Sequence, residues 1–107
     1  MSFKTVLTPT FKRKAKSLIK KYPSLATDLA ELEKSLLVNP KMGTDLGGNC
    51  YKIRLKISGK NTGKSGGARV ITYLITKHEE IHLLTMYDKS EMESISLQSI
   101  RAIISEI

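Results

Sequence analysis

The sequence predicts a single α+β domain, residues 1–107, in which an N-terminal helix hairpin and a short C-terminal helix pack on a small antiparallel sheet. Three observations predict this class. The chain has 107 residues, which is enough for one modest core. Apolar residues recur at helical spacing before residue 40, and they form short strand-like runs between residues 50 and 87. Helices that are segregated along the chain from strands are typical of α+β domains.

The N-terminal part is predicted to be a short strand followed by two helices. Residues 3–7 have the composition of a strand, and Thr8-Pro9 then supplies an N-cap with proline at the first helical position. The first helix, residues 9–21, carries these apolar residues at helical spacing: Phe11, Ala15, Leu18 and Ile19. The second helix begins near Ser24 and ends at Asn39-Pro40, and it has a stripe of leucines: Leu25, Leu29, Leu32 and Leu36. The short connection predicts an antiparallel helix hairpin.

The C-terminal part is predicted to contain three strands and one helix. The strands are at residues 50–57, 69–75 and 81–87. Glycines at positions 43, 47 and 48 mark a loop before the first strand, and the Gly- and Lys-rich stretch 58–67 is a second loop. Short turns favour antiparallel neighbours. From about Leu97, isoleucines recur at helical spacing and predict a short helix.

The chain is strongly basic, which favours an anionic partner. It carries 18 Lys and Arg against 10 Asp and Glu, a net charge of +8. Residues 1–27 contain seven cations and no acid. Such a field accelerates encounters with nucleic acid, but it would also suit an acidic protein or an anionic membrane surface.

The cysteine count and the hydropathy pattern limit the cofactors and the cellular locations that we expect. The single Cys50 excludes an intramolecular disulfide and offers no zinc ligand set, so we expect neither a metal nor another cofactor. No stretch approaches the ~20 apolar residues that span a bilayer, and the N-terminus lacks a signal-peptide pattern. The sequence therefore predicts a soluble, cytoplasmic protein without a membrane partner.

The segment between Tyr51 and Arg69 is the most informative part of the chain for function. It holds six cations and no acid: Lys52, Arg54, Lys56, Lys60, Lys64 and Arg69. Apolar residues alternate with the first three cations, so a strand would bury one face and present the cations on the other. Like charges on one sheet face repel each other, and a phosphate backbone would relieve that repulsion.

Other motifs are weaker. Gly63-Lys64-Ser65 resembles the end of a nucleotide-binding loop, but the spacing fails and a β-branched strand follows instead of a helix, which excludes nucleotide hydrolysis. His78 and His82 have no partners at a spacing typical of a catalytic triad or a metal site. The acidic residues Asp88, Glu91 and Glu93 are predicted to form a solvated loop or a cap.

The basic surface is compatible with two activities. RNA carries its own nucleophile, the 2′-OH, so cleavage requires only proton transfers and stabilisation of a pentacoordinate phosphate, which Lys and Arg can provide. The same cations can instead bind nucleic acid without cleaving it. The residues alone leave both open.

Three tracts add a resemblance to a known family. YKIRLK (51–56), GGARVITYLI (66–75) and LLTMYDKSEMESIS (83–96) resemble toxins of bacterial type II toxin–antitoxin modules, of the RelE/ParE superfamily and its HigB-like branch. The resemblance covers nearly the whole chain. It implies an mRNA endoribonuclease that acts on the translating ribosome and inhibits translation.

The resemblance also implies roles for individual residues. By position, the family's basic catalytic residues correspond to these: Lys52, Arg54, Arg69 and Lys89. Arg69 would stabilise the phosphorane, and Lys52 or Arg54 would hold the substrate. These residues would be further RNA contacts: Lys56, Lys60, Lys64 and Tyr87. Some relatives have a catalytic C-terminal tyrosine where this chain has Ile95, and Tyr87 is its proposed substitute.

The resemblance leaves alternatives and implies a partner. Relatives similar to ParE inhibit DNA gyrase and cleave nothing, and a third possibility is a non-enzymatic protein that binds RNA or the ribosome. The implied partner is a cognate antitoxin with a helix-turn-helix domain, which would dock on the C-terminal helix or on the helix hairpin.

Overall fold

The computed structural model describes residues 2–59 and 66–107 and confirms the α+β class. The elements in chain order are β1 (Lys4–Leu7), α1 (Pro9–Lys21), α2 (Leu25–Val38), β2 (Thr44–Gly47), β3 (Cys50–Leu55), β4 (Ala68–Ile75), β5 (Glu80–Asp88) and α3 (Leu97–Ile104). A turn of 3₁₀-helix, Thr76–His78, connects β4 to β5. The predicted contacts Lys60 and Lys64 lie outside the described residues.

The five strands form one mixed sheet in the order β1-β5-β4-β3-β2. The antiparallel prediction is right for β3, β4 and β5 but wrong for β1, which pairs with β5 in parallel. Parallel neighbours need a long crossover, and here the whole chain from α1 to β4 separates β1 from β5. Strand composition at the N-terminus carries no information about which neighbour the strand will find.

Strand β2 was not predicted, because its sequence TDLG is rich in residues that are rare in strands. It pairs with β3 at the edge of the sheet. The backbone reverses between them at Gly47 and Gly48, whose φ angles of 85° and 60° favour glycine. The expected glycine loop is therefore a β-hairpin.

The two helices of the hairpin pack on one face of the sheet and form the main core. Thr8 caps α1 by accepting a hydrogen bond from the Phe11 amide, as the Thr-Pro signal predicted. The leucine stripe of α2 is buried together with the inward-facing residues of β3 to β5. Burial of this apolar surface is the main term that stabilises the fold.

Helix α3 packs on the opposite face of the sheet. Ile100 is buried against Cys50, Ile71 and Leu84, which alternate with the residues of the main core. The chain end is held in place by Glu106, whose carboxylate accepts hydrogen bonds from the backbone and hydroxyl of Thr10 in the first turn of α1.

Within residues 2–59 and 66–107, no helix is both long enough and apolar enough to cross a bilayer.

Candidate nucleic-acid interface

The sheet register brings two arginines and a tyrosine into one row across three strands. Arg54 on β3 lies opposite Arg69 on β4, and Arg69 lies opposite Tyr87 on β5. Residues that are directly opposite in antiparallel strands share a face, with Cβ atoms about 4.5–5.5 Å apart. This is the face opposite the helix hairpin. We call Arg54, Arg69 and Tyr87 the arginine row.

The members of the arginine row differ in exposure. Arg54 is exposed, whereas Arg69 is only 5% exposed and donates a hydrogen bond from Nη1 to the Ala68 carbonyl at 3.1 Å. A buried guanidinium is held in a defined place, which is what precise phosphate recognition requires. The row therefore combines a buried cation whose position is fixed with an exposed cation.

The Tyr87 hydroxyl is buried without a hydrogen-bond partner in the part of the chain that the structure describes. Burial raises the pKa of Tyr87, and the charge of Arg69 opposes that rise in part. The phenol consequently keeps its proton at neutral pH. It can donate a hydrogen bond or a proton to a ligand placed over the row.

The other predicted cations on β3 lie on either side of Arg54. Lys52 is half-buried, and it lies opposite Ile71 of β4 and Thr44 of β2. Because Lys52 and Arg54 are two residues apart on one strand, they share a face. Lys56 is exposed just after the end of β3, where the predicted strand was two residues too long. The structure thus brings Lys52 next to the arginine row and leaves Lys56 at its margin.

Lys89 follows β5 and extends the sheet by one residue. Its backbone amide donates to the Gly67 carbonyl at 2.9 Å, so the strand alternation continues and places Lys89 on the same face as Tyr87. Its ammonium donates to the Glu93 carbonyl at 3.0 Å. Lys89 therefore lies beside the row with its side chain anchored to the turn that follows β5.

The sequence interpretation did not predict that Asp88, at the end of β5, is buried. It was expected to belong to a solvated loop or a cap, and it does act as a cap, but it is only 2% exposed. Period-two alternation along β5 places it on the same face as the core residue Met86. That alternation was the available signal, and the two nearby acidic residues Glu91 and Glu93 obscured it.

A second basic surface lies on α1. The outer face of this helix exposes six cations: Lys12, Arg13, Lys14, Lys16, Lys20 and Lys21. Lys21 contacts Glu91 at 3.6 Å, in the turn after β5. The end of the basic helix is therefore close to the turn that carries Lys89.

Cys50 and His82 lie away from the row, because both are opposite Tyr73, near the other end of β4 from Arg69. His82 is buried, with Nε2 3.0 Å from the Glu80 carboxylate, and burial raises the pKa of the Cys50 thiol beneath α3. Across the described ranges, no cluster of His, Cys, Asp and Glu could hold a metal ion. The chemistry available at the row is that of cations and a phenol, which can bind a phosphate and transfer a proton.

Comparison with known proteins identifies the family. The family model described as "RelE toxin of RelE / RelB toxin-antitoxin system" matches residues 3–105. Among solved structures, the chain is similar to an arginine double mutant of the E. coli toxin RelE in the free state, with 16% sequence identity and a TM-score of 0.61 over 99% of this chain and 94% of that one. At this identity the structural likeness shows the fold. The narrower assignment to the HigB-like branch stays a prediction.

Proposed function

Because this chain belongs to the RelE family of toxins from toxin–antitoxin systems, we propose that it is a ribosome-dependent endoribonuclease that cleaves mRNA and inhibits translation. The observation that carries the proposal is the arginine row. It places a buried arginine between a second arginine and a tyrosine that can donate a proton.

The row is suited to a phosphodiester. Two arginines directly opposite each other on neighbouring strands repel, and an anion between them turns that repulsion into attraction. Guanidinium groups hold phosphate oxygens in a bidentate geometry that lysine cannot reproduce. Lys52, two residues from Arg54, extends the cationic face along the RNA backbone.

The reaction uses the substrate's own nucleophile. The RNA 2′-hydroxyl loses its proton to water as its oxygen attacks the adjacent phosphorus, and the bond from phosphorus to the 5′-oxygen breaks after a pentacoordinate species forms. Arg69 stabilises the charge of that species, and Lys52 and Arg54 hold the phosphate. The Tyr87 phenol donates its proton to the leaving 5′-oxygen, and its raised pKa means that the proton is present at neutral pH.

The basic face of α1 provides the contact with ribosomal RNA. Its cations are exposed and lie on an element close to the site, so they add sequence-independent affinity for phosphates. Lys56 adds a further contact beside the row. Action on translating ribosomes implies a cytoplasmic location.

Membership of this family implies an antitoxin partner. We infer that the antitoxin carries a helix-turn-helix domain and that its binding keeps the toxin inactive. The antitoxin surface that binds this chain should carry negative charge, because the chain has a net charge of +8.

The decisive experiment is mapping of mRNA ends in a reconstituted translation system. We expect cuts with the wild-type protein only when ribosomes are present, and a loss of at least about 100-fold with Arg69→Ala. Arg69→Lys keeps the charge and lacks the guanidinium fork, so it should also lose most activity if it folds normally. Lys77→Ala is the control and should cleave, because Lys77 is an exposed cation in the 3₁₀ turn at the end of β4 that is far from Arg69.

The outcomes separate the activities. Intact mRNA with wild-type protein would refute the nuclease proposal and redirect the search to DNA gyrase inhibition or to RNA binding alone. If Arg69→Ala merely weakens ribosome binding and leaves the cleavage step unchanged, the catalytic role of Arg69 is wrong.

A further inference from the structure

Asp88 connects three parts of the molecule from a buried position. Its Oδ1 accepts hydrogen bonds from the backbone amide of Ser90 at 3.0 Å and from the Ser90 hydroxyl at 2.8 Å. Its Oδ2 accepts a hydrogen bond from the hydroxyl of Tyr22, at the end of α1, at 3.3 Å. The Asp88 carbonyl accepts from the amides of Glu91 and Met92, both at 3.0 Å.

These contacts fix the geometry of the strand end. Asp88 lies between Tyr87 and Lys89, which are on the opposite face of the sheet. The Asp88 carboxylate fixes the end of the strand on one face of the sheet. It therefore also sets the position of Tyr87 and Lys89 on the other face. The exposed side chains of Lys21 and Glu91 make a second contact between α1 and the turn, at 3.6 Å.

We propose that Asp88 is a positioning residue that connects the turn of residues 88–93 to the end of α1. In this way it holds Tyr87 in its place in the arginine row and Lys89 beside the row. This inference rests on the proposed nuclease function. It assigns Asp88 no contact with RNA.

The physical argument concerns what remains if the carboxylate is removed. Ser90 loses the acceptor for its amide and hydroxyl, and Tyr22 loses an acceptor in a part-buried place. The turn then relaxes, and the Lys89 amide is less firmly held against the Gly67 carbonyl. A displacement of about 1 Å in a group that acts on the reacting atoms costs on the order of 100-fold in rate.

The test compares Asp88→Ala with Asp88→Asn. Asparagine keeps an oxygen for Ser90 and a polar group for Tyr22, so it should preserve the turn, whereas alanine should not. We expect Asp88→Ala to lower the rate of ribosome-dependent cleavage by about 10- to 100-fold, with affinity for the ribosome unchanged. Asp88→Asn should retain most of the activity. Tyr22→Phe, which removes the hydroxyl that donates to Asp88 from the end of α1, should fall between them.

Two control variants separate positioning from other effects. Asp45 also accepts an amide hydrogen bond two residues ahead, from Gly47, but in the β2–β3 turn far along the chain from β5, so Asp45→Ala should cleave normally. Leu32→Ala in the buried stripe of α2 measures the effect of lost stability alone. If Asp88→Ala loses no more activity than Leu32→Ala at equal fraction folded, the proposal is overturned. Equal losses in the Ala and Asn variants would also overturn it, because they would show a need for the charge.

A second measurement does not depend on activity. Amide hydrogen exchange of Lys89 and Ser90 should accelerate in Asp88→Ala and remain slow in Asp88→Asn, while the amides of β3 stay protected. Unchanged exchange at Lys89 would overturn the proposal even if cleavage falls. If the wild-type protein cleaves nothing, the proposed function fails, and this exchange pattern still decides whether Asp88 holds the turn.

Discussion

Gly67→Ala should disable the protein through a single methyl group. Gly67 immediately precedes β4, and its backbone lies close to the backbone at the end of β3. A Cβ at this position would overlap the Leu55 carbonyl oxygen and lie 3.2 Å from both the Ile57 nitrogen and the Lys56 Cα. All three neighbours are backbone atoms, so no side-chain rotation can relieve the overlap.

The size of the effect follows from this geometry. Ordinary contact begins at 3.4 Å, so β3 and β4 would have to separate by roughly 1 Å at their ends. Overpacking of this kind costs about 1–3 kcal/mol, and each kcal/mol lowers the Tm by about 4–8 °C in a domain of this size. The displaced strands carry Arg54 and Arg69 opposite each other, and the Gly67 carbonyl holds Lys89. A shift of about 1 Å in these groups should reduce cleavage by about 100-fold.

Thermal unfolding and single-turnover cleavage on ribosomes measure both effects. Gly59→Ala is the matched control, because the added Cβ would meet the Ser24 hydroxyl at 2.8 Å, which is a side-chain atom and not the backbone of a neighbouring strand. Its stability should change by less than about 0.5 kcal/mol. Wild-type stability and cleavage in Gly67→Ala would refute the reasoning. A loss of stability without loss of cleavage in the folded fraction would show that the row tolerates the displacement.

Three further predictions concern charge and proton transfer. The hydrogen bond from His82 holds the pKa of Glu80 below its ordinary value of 4.5, so the stabilisation exists above that pH and is lost as the pH falls through the folded pKa. The Tm of Glu80→Gln should therefore fall less than the wild-type Tm between about pH 5 and pH 3, and parallel curves would contradict this. Tyr87→Phe should lower the cleavage rate by about 100-fold or more without weakening ribosome binding. Because the pKa of Tyr87 is raised above 10.0, wild-type cleavage should show no loss from tyrosine ionisation below that pH, and an active Phe variant would exclude Tyr87 as the acid. Lys14→Ala with Lys20→Ala should weaken ribosome binding and reduce the slope of log affinity against log salt by about 1 for each lost phosphate contact, whereas an unchanged slope would place the ribosome contact elsewhere.

Sequence patterns were sufficient for the parts of the fold that depend on local interactions. The bounds of α1 were predicted correctly, because Thr8-Pro9 starts the helix and Tyr22-Pro23 ends it. The strands β3 to β5 were found from alternation and β-branched runs, with errors of one or two residues at their ends. The family was also recognised from local patterns, because each of the tracts that carry the resemblance is a continuous run of residues.

Long-range pairing decided the rest. The parallel pairing of β1 with β5 and the strand β2 depend on partners far along the chain or on an edge position, and neither leaves a local pattern. The sequence placed Arg54 and Arg69 on strands, but the register that sets them opposite each other forms only when β3 meets β4. Burial of Asp88 likewise depends on α1 covering the strand end.

The sequence by itself determined which basic residues are available to the site and which strands carry them. It also determined the family to which the chain belongs. What only the tertiary structure decided is which of these residues meet. The physical reason is that propensity and periodicity act over a few residues, whereas the arginine row and the contact of Asp88 with the end of α1 are made by strands and a helix that pack across separations of 15 residues or more in the chain.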